Sequence, residues 1–315
     1  MPKIEKIIIV TKKTWLEELI ERFNTKAQAK FYIEHMGGNF DDYQDAHNQY
    51  YTALEQLKRV LPSHIKTQVV ERSFLSNFLF GPQDLIVVIG PDGLVINTAK
   101  YLKEQYIVAV NPDSSRIDGI LLPFIVEEVP LVVKKLEANN FNAIRITMAM
   151  ATLNNQQSLL GVNDLFIGHK SHGSARYNIT YKGITEAHSS SGVIVSTGAG
   201  STGWFKSIVT GAIAITNEFR KELYAQERPT EDEYRFPWDA SYVYFSVREP
   251  WTSKTSSAAI VFGPIYAGDY LTIESKMPEN GVIFSDGIEK DFIDFNSGTI
   301  AQISVADKKA NLILR

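Results

Sequence analysis

The 315-residue chain contains no cysteine. That absence excludes disulfides, thiolate metal centres and cysteine nucleophiles together, and it suits a reducing compartment. A strong charge of either sign is also missing: 32 basic against 36 acidic residues leave a formal net charge of −4. Such a balance argues against a nucleic-acid-binding surface, while a small anionic ligand needs only a local positive patch. No apolar run approaches the ~20 residues of a membrane-spanning helix. The run Ile7–Val10 near the N-terminus is far shorter than the core of a signal peptide. The expectation is a cytoplasmic protein that engages neither membrane nor nucleic acid. Internal repeats and low-complexity tracts are lacking too. His169, His172 and His188 have no acidic partner in a metal-ligand pattern, so no metal site is assigned to side chains.

What is present is the composition of a soluble globular protein, 44% hydrophobic and 22% charged. The length favours two domains over one core. Up to about residue 125 the chain alternates strand and helix. Ile7–Val10 is followed by Trp15, Leu16, Leu19, Ile20 and Phe23 at helical spacing, and a second helix carries Tyr43, Ala46, Tyr50, Leu54, Leu57 and Leu61. Val69-Val70 reads as a weak strand, Leu85–Ile89 as a strong one, then a helix over Leu94–Leu102 and a strand over Ile107–Val110. Continuous apolar strands alternating with helices predict a doubly wound parallel sheet. After Pro130 and a short helix at 131–137, many short strands separated by turn residues follow. They include 144–149, 161–167, 175–181, 193–195, 242–247, 258–262, 270–273, 282–284, 292–295, 300–305 and 312–314. This texture predicts a mainly antiparallel, sandwich-like domain. The expected division is an α/β nucleotide-binding domain at 1–130 and a β-rich domain at 131–315, whose last strand returns to the first domain. The charged segment 217–239 reads either as a solvated helix and loop or as a flap over a site.

Three stretches carry polar groups where a ligand could use them. Asp92 follows the most buried N-terminal strand, at the carboxyl end where α/β sheets bind ligands, although Pro91-Asp92-Gly93 is also a strong turn sequence. Asn163-Asp164 precedes an apolar strand and could hold ribose hydroxyls, the amide donating and the carboxylate accepting, or could cap a turn. The third stretch, Gly192–Trp204, runs from the strand Val193–Val195 through Ser196 and Thr197 into Gly198-Ala199-Gly200-Ser201-Thr202-Gly203. No side chain in those last six positions exceeds threonine, and a helix with Phe205, Ile208, Val209 and Ala212 follows. A loop without bulk between strand and helix brings backbone N–H groups and hydroxyls close to a phosphate or ribose. It is not a Walker A loop, since Gly-Lys-Ser/Thr is absent.

Taken in order, Gly90-Pro91-Asp92-Gly93-Leu94, Gly161-Val162-Asn163-Asp164 and Gly192–Trp204 resemble the three motifs of the NAD kinase family. Those read roughly Gly-Gly-Asp-Gly-Thr, Asn-Glu and Asp-Gly-Val-Ile-Val-Ser-Thr-Pro-Thr-Gly-Ser-Thr-Ala-Tyr. Ala109–Pro112 and the strand ending in Asp286-Gly287 fit the same pattern. The stretch Gly168–Tyr177, with Ser171, Ser174 and Arg176, looks most like the mitochondrial-type branch. The resemblance implies an α/β domain with a β-rich domain, homo-oligomers, and ATP-dependent phosphorylation of the adenosine ribose 2′-hydroxyl of NAD. It implies Mg²⁺ held largely by the ATP phosphates, with NAD and ATP as the small-molecule ligands. By position, Asp92 matches the general base, and Gly93 lies beside it in the same loop. Asn163 and Asp164 match the ribose-binding pair. Ser196, Thr197, Gly200, Ser201, Thr202 and Gly203 match the loop around nucleotide, and Trp204 matches a tyrosine that can lie against it. The first motif departs from the family at Pro91, which has no N–H, and at Leu94, which has no hydroxyl. These departures leave open a non-catalytic nucleotide-binding homologue, or a kinase of the same fold acting on a sugar or lipid hydroxyl.

Overall fold

A computed structural model describes residues 3–219 and 234–315 of the chain. The central part of the 217–239 segment, read as a possible flap, lies outside the described residues. The chain divides into two compact units, Met1–Ile144 with Asn311–Arg315, and Arg145–Ala310.

The first unit opens with β1 (Lys6–Thr11), α1 (Trp15–Phe23), α2 (Lys26–His35) and α3 (Phe40–Val60). It continues with β2 (Lys66–Glu71), β3 (Asp84–Ile89), α4 (Asp92–Ala99), β4 (Tyr106–Val110) and α5 (Val129–Glu137). Strands β2, β1, β3 and β4 pair in parallel in that order, and the C-terminal residues Asn311 and Leu312 extend the sheet beyond β4. All six residues of β3 are buried, as a central parallel strand covered on both faces requires. One face packs Ile7, Ile9, Leu85, Val87 and Val108 against Leu57 of α3 and Val133 of α5. The sequence reading ended the first domain at 130. The observed unit extends to Ile144 because Val129, Val132, Val133 and Leu136 of α5 belong to this core.

Helix α2 escaped the sequence reading, although Thr25 caps it by accepting the N–H of Gln28 at 3.2 Å. Helix α1 carries a full capping box: Thr14 accepts from the N–H of Glu17, whose carboxylate accepts from Thr14 N–H at 2.8 Å.

The second unit contains β5 (Asn142–Leu153, entering it at Arg145), β6 (Ser158–Gly161), β7 (Asp164–His169), β8 (Ala175–Tyr181) and β9 (Ile184–Ser190). β10 (Val193–Ser196) leads to α6 (Trp204–Phe219). Then come β11 (Tyr242–Val247), β12 (Phe262–Tyr266), β13 (Tyr270–Ser275), β14 (Gly281–Ser285), β15 (Ile288–Asp294) and β16 (Ile300–Leu314). Six antiparallel strands in the order β12-β11-β10-β7-β14-β15 form one sheet. The other runs β16-β13-β8-β9, with β5 also on β16 and β6 on β5. Their inner faces share one core that includes Leu165, Ile167, Val195, Phe245 and Ile283 from the first sheet, and Tyr177, Ile179, Ile273 and Ile303 from the second. This is the sandwich that the short-strand texture predicts.

Three strand expectations change. The strand placed at 258–262 lies at Phe262–Tyr266 instead, because the N–H groups of Ala259 and Ile260 donate to the Glu186 carboxylate, each at 3.1 Å, and leave the ladder. The run 161–167 breaks at Val162-Asn163, whose N–H groups also go to a carboxylate. The separate strands at 300–305 and 312–314 are one strand, β16. No described helix is long and apolar enough to cross a membrane.

Candidate functional site

In the second unit, strand register gathers the second and third motifs. Asp164 at the start of β7 pairs with Ser196 at the end of β10, and Leu165 pairs with Ser285 at the end of β14. Ser285 leads into a two-residue hairpin turn, Asp286-Gly287, with φ of 56° and 68°. Positive φ at both positions is what a type I′ turn demands, and Asp-Gly satisfies it. The Asp286 carboxylate accepts the backbone N–H groups of Val162, Asn163 and Asp164 at 3.3, 2.7 and 3.3 Å. In return the N–H of Asp286 donates to the carbonyl of Asp164 at 3.0 Å. The second motif is therefore held by its backbone, and its side chains are left over for other work.

Those side chains are unsatisfied. Asn163 Oδ1 and Asp164 Oδ1 are buried without a hydrogen-bond partner among the described residues. Unpaired buried polar atoms cost ~1–3 kcal/mol each, so their retention calls for a ligand or a functional reason. Burial, and then the neighbouring negative charge of Asp286, push the Asp164 carboxyl up to about 7.

The third motif wraps tightly against the second. Thr197 donates its N–H to the carbonyl of Asn163 at 2.9 Å and its hydroxyl to the carbonyl of Val162, and it accepts the N–H of Gly200 at 3.2 Å. Ser201 donates to the carbonyl of Gly198 at 2.7 Å, closing the 3₁₀ turn Ala199–Thr202 that leads into α6. Two glycines are required by close approach. A Cβ on Gly200 would lie 2.1 Å from the carbonyl oxygen of Asn163, and one on Gly198 would lie 1.9 Å from that of Pro237. The hydroxyls of Ser196, Thr197 and Ser201 are fully buried, those of Ser196 and Ser201 donating within the loop and that of Thr197 to the second motif. Thr202, Gly203 and Trp204 are at least partly exposed. The Trp204 ring stacks on Phe166 with centroids 5.9 Å apart and planes 6° apart, and the Arg248 guanidinium lies 5.4 Å from its centroid.

The first motif belongs to the other unit. Pro91 occupies the N-cap of α4, where its missing N–H costs the helix nothing, and its carbonyl accepts the N–H of Leu94 at 2.8 Å. Leu94 is buried in the core. Asp92 is half-buried at the first helical position, with Gly93 exposed beside it. Burial raises the Asp92 carboxyl, opposed by the backbone N–H groups of Leu121, at 2.7 Å, and Ile120. The charge of Asp118 adds a smaller upward push.

The same unit holds a cavity of about 520 Å³ at the carboxyl ends of β1, β3 and β4. Its lining includes Lys12, Trp15, Tyr43, Pro91, Pro112 and Arg116. Strand β1 has β2 on one side and β3 on the other, so the cavity lies at a topological switch point, where α/β sheets bind ligands. Sequence reasoning missed Lys12 and Arg116. Basic residues directly following the first predicted strand were the available signal. It also missed the anchoring of the second motif by Asp286, and Arg248 over Trp204, for which no local pattern exists.

No protein-family model and no curated protein sequence matches the chain. Solved structures do. The fold superposes on yeast NADH kinase complexed with NADH with a TM-score of 0.59 at 14% identity, over 100% of this chain and 84% of that one. It also superposes on an NAD kinase from Archaeoglobus fulgidus in complex with ATP with a TM-score of 0.53 at 16% identity, over 98% of this chain and 92% of that one. An α/β unit with a parallel sheet, followed by an antiparallel β unit, is thus the NAD kinase fold, and this chain has it.

Proposed function

We propose that the protein is a phosphotransferase of the NAD kinase type, moving the terminal phosphoryl group of ATP to the adenosine ribose 2′-hydroxyl of NAD. The observation that carries this reading is the pair of orphaned buried oxygens, Asn163 Oδ1 and Asp164 Oδ1, beside the Gly198–Gly203 loop. A ribose supplies two adjacent hydroxyl donors, which is what two adjacent acceptors lack. The exposed backbone of Gly203 lets a nucleotide approach closely, and the partly exposed ring of Trp204 offers it a flat face. The aromatic-lined cavity at the switch point of the first unit, with Lys12, Lys13 and Arg116 against Asp42 and Asp113, suits the polyphosphate and base of the donor.

In the transfer, the acceptor oxygen bonds to the γ-phosphorus, the bond between that phosphorus and the β–γ bridging oxygen breaks, and ADP leaves. Asp92 takes the hydroxyl proton; its raised affinity for protons suits a base. Phosphoryl transfer asks the protein chiefly for positioning and charge neutralisation; Lys12 supplies charge, together with Arg116, whose Nε lies 3.8 Å from the Asp113 carboxylate. Among the described residues, no three His, Cys, Asp or Glu side chains group to hold a metal ion. A Mg²⁺ ion carried by the ATP phosphates would need only one or two protein carboxylates and would neutralise charge on the transferred group.

Asp92→Asn tests the reading. Its turnover of NAD with ATP should fall ~10²–10⁴-fold. Its melting temperature should hold, because the amide oxygen can still accept the N–H of Leu121. Unchanged turnover overturns the assignment. A second reading, a nucleotide-binding protein without catalysis, is favoured by one observation: the Asp92 carboxylate is already engaged by two backbone N–H groups. Under it, wild-type protein binds NAD calorimetrically and forms no NADP.

A further inference from the structure

A second cavity, of about 610 Å³, lies in the β unit and shares no lining residue with the loops just described. It occupies the outward side of the β8–β9 ladder. Arg176 is opposite Ser189 there and Asn178 is opposite Ala187, while Tyr177 and Ile179 point inward to the core. The floor is rigid, since β8 is hydrogen-bonded to β9 on one side and β13 on the other. One wall is the segment following Trp251, which is laid along the free edge of β9. Trp251 N–H donates to the carbonyl of Ser189 at 2.8 Å, and Ser257 N–H to that of Ala187 at 2.9 Å. A turn in that wall clusters hydroxyls: Ser256 Oγ donates to the carbonyl of Trp251 at 2.7 Å, and Ser253 Oγ lies 2.9 Å from Ser256 Oγ and 3.3 Å from Thr255 Oγ1 and accepts the N–H of Thr255 at 3.1 Å. Lys276 closes the opposite side, its N–H donating to the carbonyl of Arg176 at 2.8 Å.

The charges are unequal. The Glu274 carboxylate is consumed by Lys276 Nζ at 2.6 Å and by Asn178 Nδ2 at 2.9 Å. Glu186 is consumed by His188 and by the backbone at Ala259 and Ile260. Arg176 has no carboxylate partner among the described residues. A guanidinium without a carboxylate partner, beside clustered hydroxyls, is suited to a phosphate. Trp251, 68% exposed at the rim, presents a flat ring that no other aromatic side chain covers among the described residues. Large apolar rings left open beside a polar cavity are characteristic of recognition surfaces.

We propose that this cavity is a second ligand site that binds a nucleoside monophosphate or diphosphate, its phosphate on Arg176 and the Ser253–Ser256 hydroxyls and its base against Trp251. The site does not rest on the function proposed above, and its residues lie outside that machinery.

Calorimetric titration of the full chain with AMP tests it, with adenosine, inorganic phosphate and NAD as the other arms. AMP affinity should fall at least ~10-fold in Arg176→Ala and ~5-fold in Trp251→Ala, in keeping with a charge-assisted contact and a stacking contact. Arg176→Lys should recover part of the loss. Adenosine should bind more weakly than AMP and be indifferent to Arg176→Ala, and phosphate should be indifferent to Trp251→Ala. NAD affinity should not change in either variant, which separates this site from the first. Equal AMP affinity in wild type and both variants overturns the proposal. So does phosphate binding as tightly as AMP, since the base then contributes nothing.

Discussion

The first motif and the pair formed by the second and third are built by opposite rules. At Asp92 the carboxylate is engaged by the backbone at Leu121, and the glycine beside it has open space around it. At Asn163-Asp164 it is the backbone that is engaged, by Asp286, while the side-chain oxygens are left unpaired and the glycines of the adjoining loop touch carbonyl oxygens. The first arrangement tolerates change, which is how Pro91 and Leu94 fit into a helix start without distortion. The second has little slack. A tightly packed loop can therefore be kept in one unit while a motif in the other has room to change.

The sharpest way to break this contrast is the same substitution on both sides. Gly200→Ala drives a methyl group into the Asn163 carbonyl and should destabilise the β unit by more than about 3 kcal/mol, or prevent its folding. Gly198→Ala should do the same against Pro237. Soluble protein with a wild-type melting curve for either variant would show that the loop has slack after all.

Next in size is a pH effect confined to the second motif. The Asp164 carboxyl titrates near 7 when folded, well above its unfolded value. The folded state then binds more protons than the unfolded state between about pH 4 and pH 7, so stability falls as pH rises through that window. The swing is on the order of 4 kcal/mol, at ~1.4 kcal/mol for each pH unit of displacement. Thermal melts at pH 5 and pH 8 should show the drop, and Asp164→Asn should abolish most of it while weakening NAD binding. A flat profile in wild type would mean that Asp164 is charged and solvated.

The smallest effect belongs to the first motif. A Cβ at Gly93 meets nothing within 4 Å, and the residue is helical. Gly93→Ala should therefore stabilise the protein by ~0.5 kcal/mol. Stabilisation together with a lower ATP affinity would show that this glycine is kept for a ligand's approach.

The legible features were those written in local pattern. Ile7–Val10 and Leu85–Ile89 declare buried parallel strands by continuous apolarity, and the Ser196–Gly203 loop declares itself by lack of bulk. Strand β9 was missed because Ile184-Thr-Glu-Ala-His-Ser-Ser190 has no apolar alternation; its ladder with β8 makes it a strand. The segment at 258–262 looked like a strand and joins one only at Phe262, because a carboxylate some 70 residues away takes the N–H groups of Ala259 and Ile260. Asp286 was noticed only as the end of a strand. Its three N–H acceptances depend on a hairpin turn that brings it back to residues 162–164.

The sequence by itself determined the two-part architecture, the elements that flank each motif, and the residue types on offer to a nucleotide. Those follow from periodicity and side-chain chemistry, which are local. Which groups remain free for a ligand was decided only by tertiary structure, because a hydrogen bond made across the fold removes a group from the inventory. By that test the buried hydroxyls of Ser196, Thr197 and Ser201 became loop struts, while Asn163 and Asp164 kept unpaired oxygens. Arg176 and Trp251, distant in sequence, became two walls of one cavity because an edge strand needed covering.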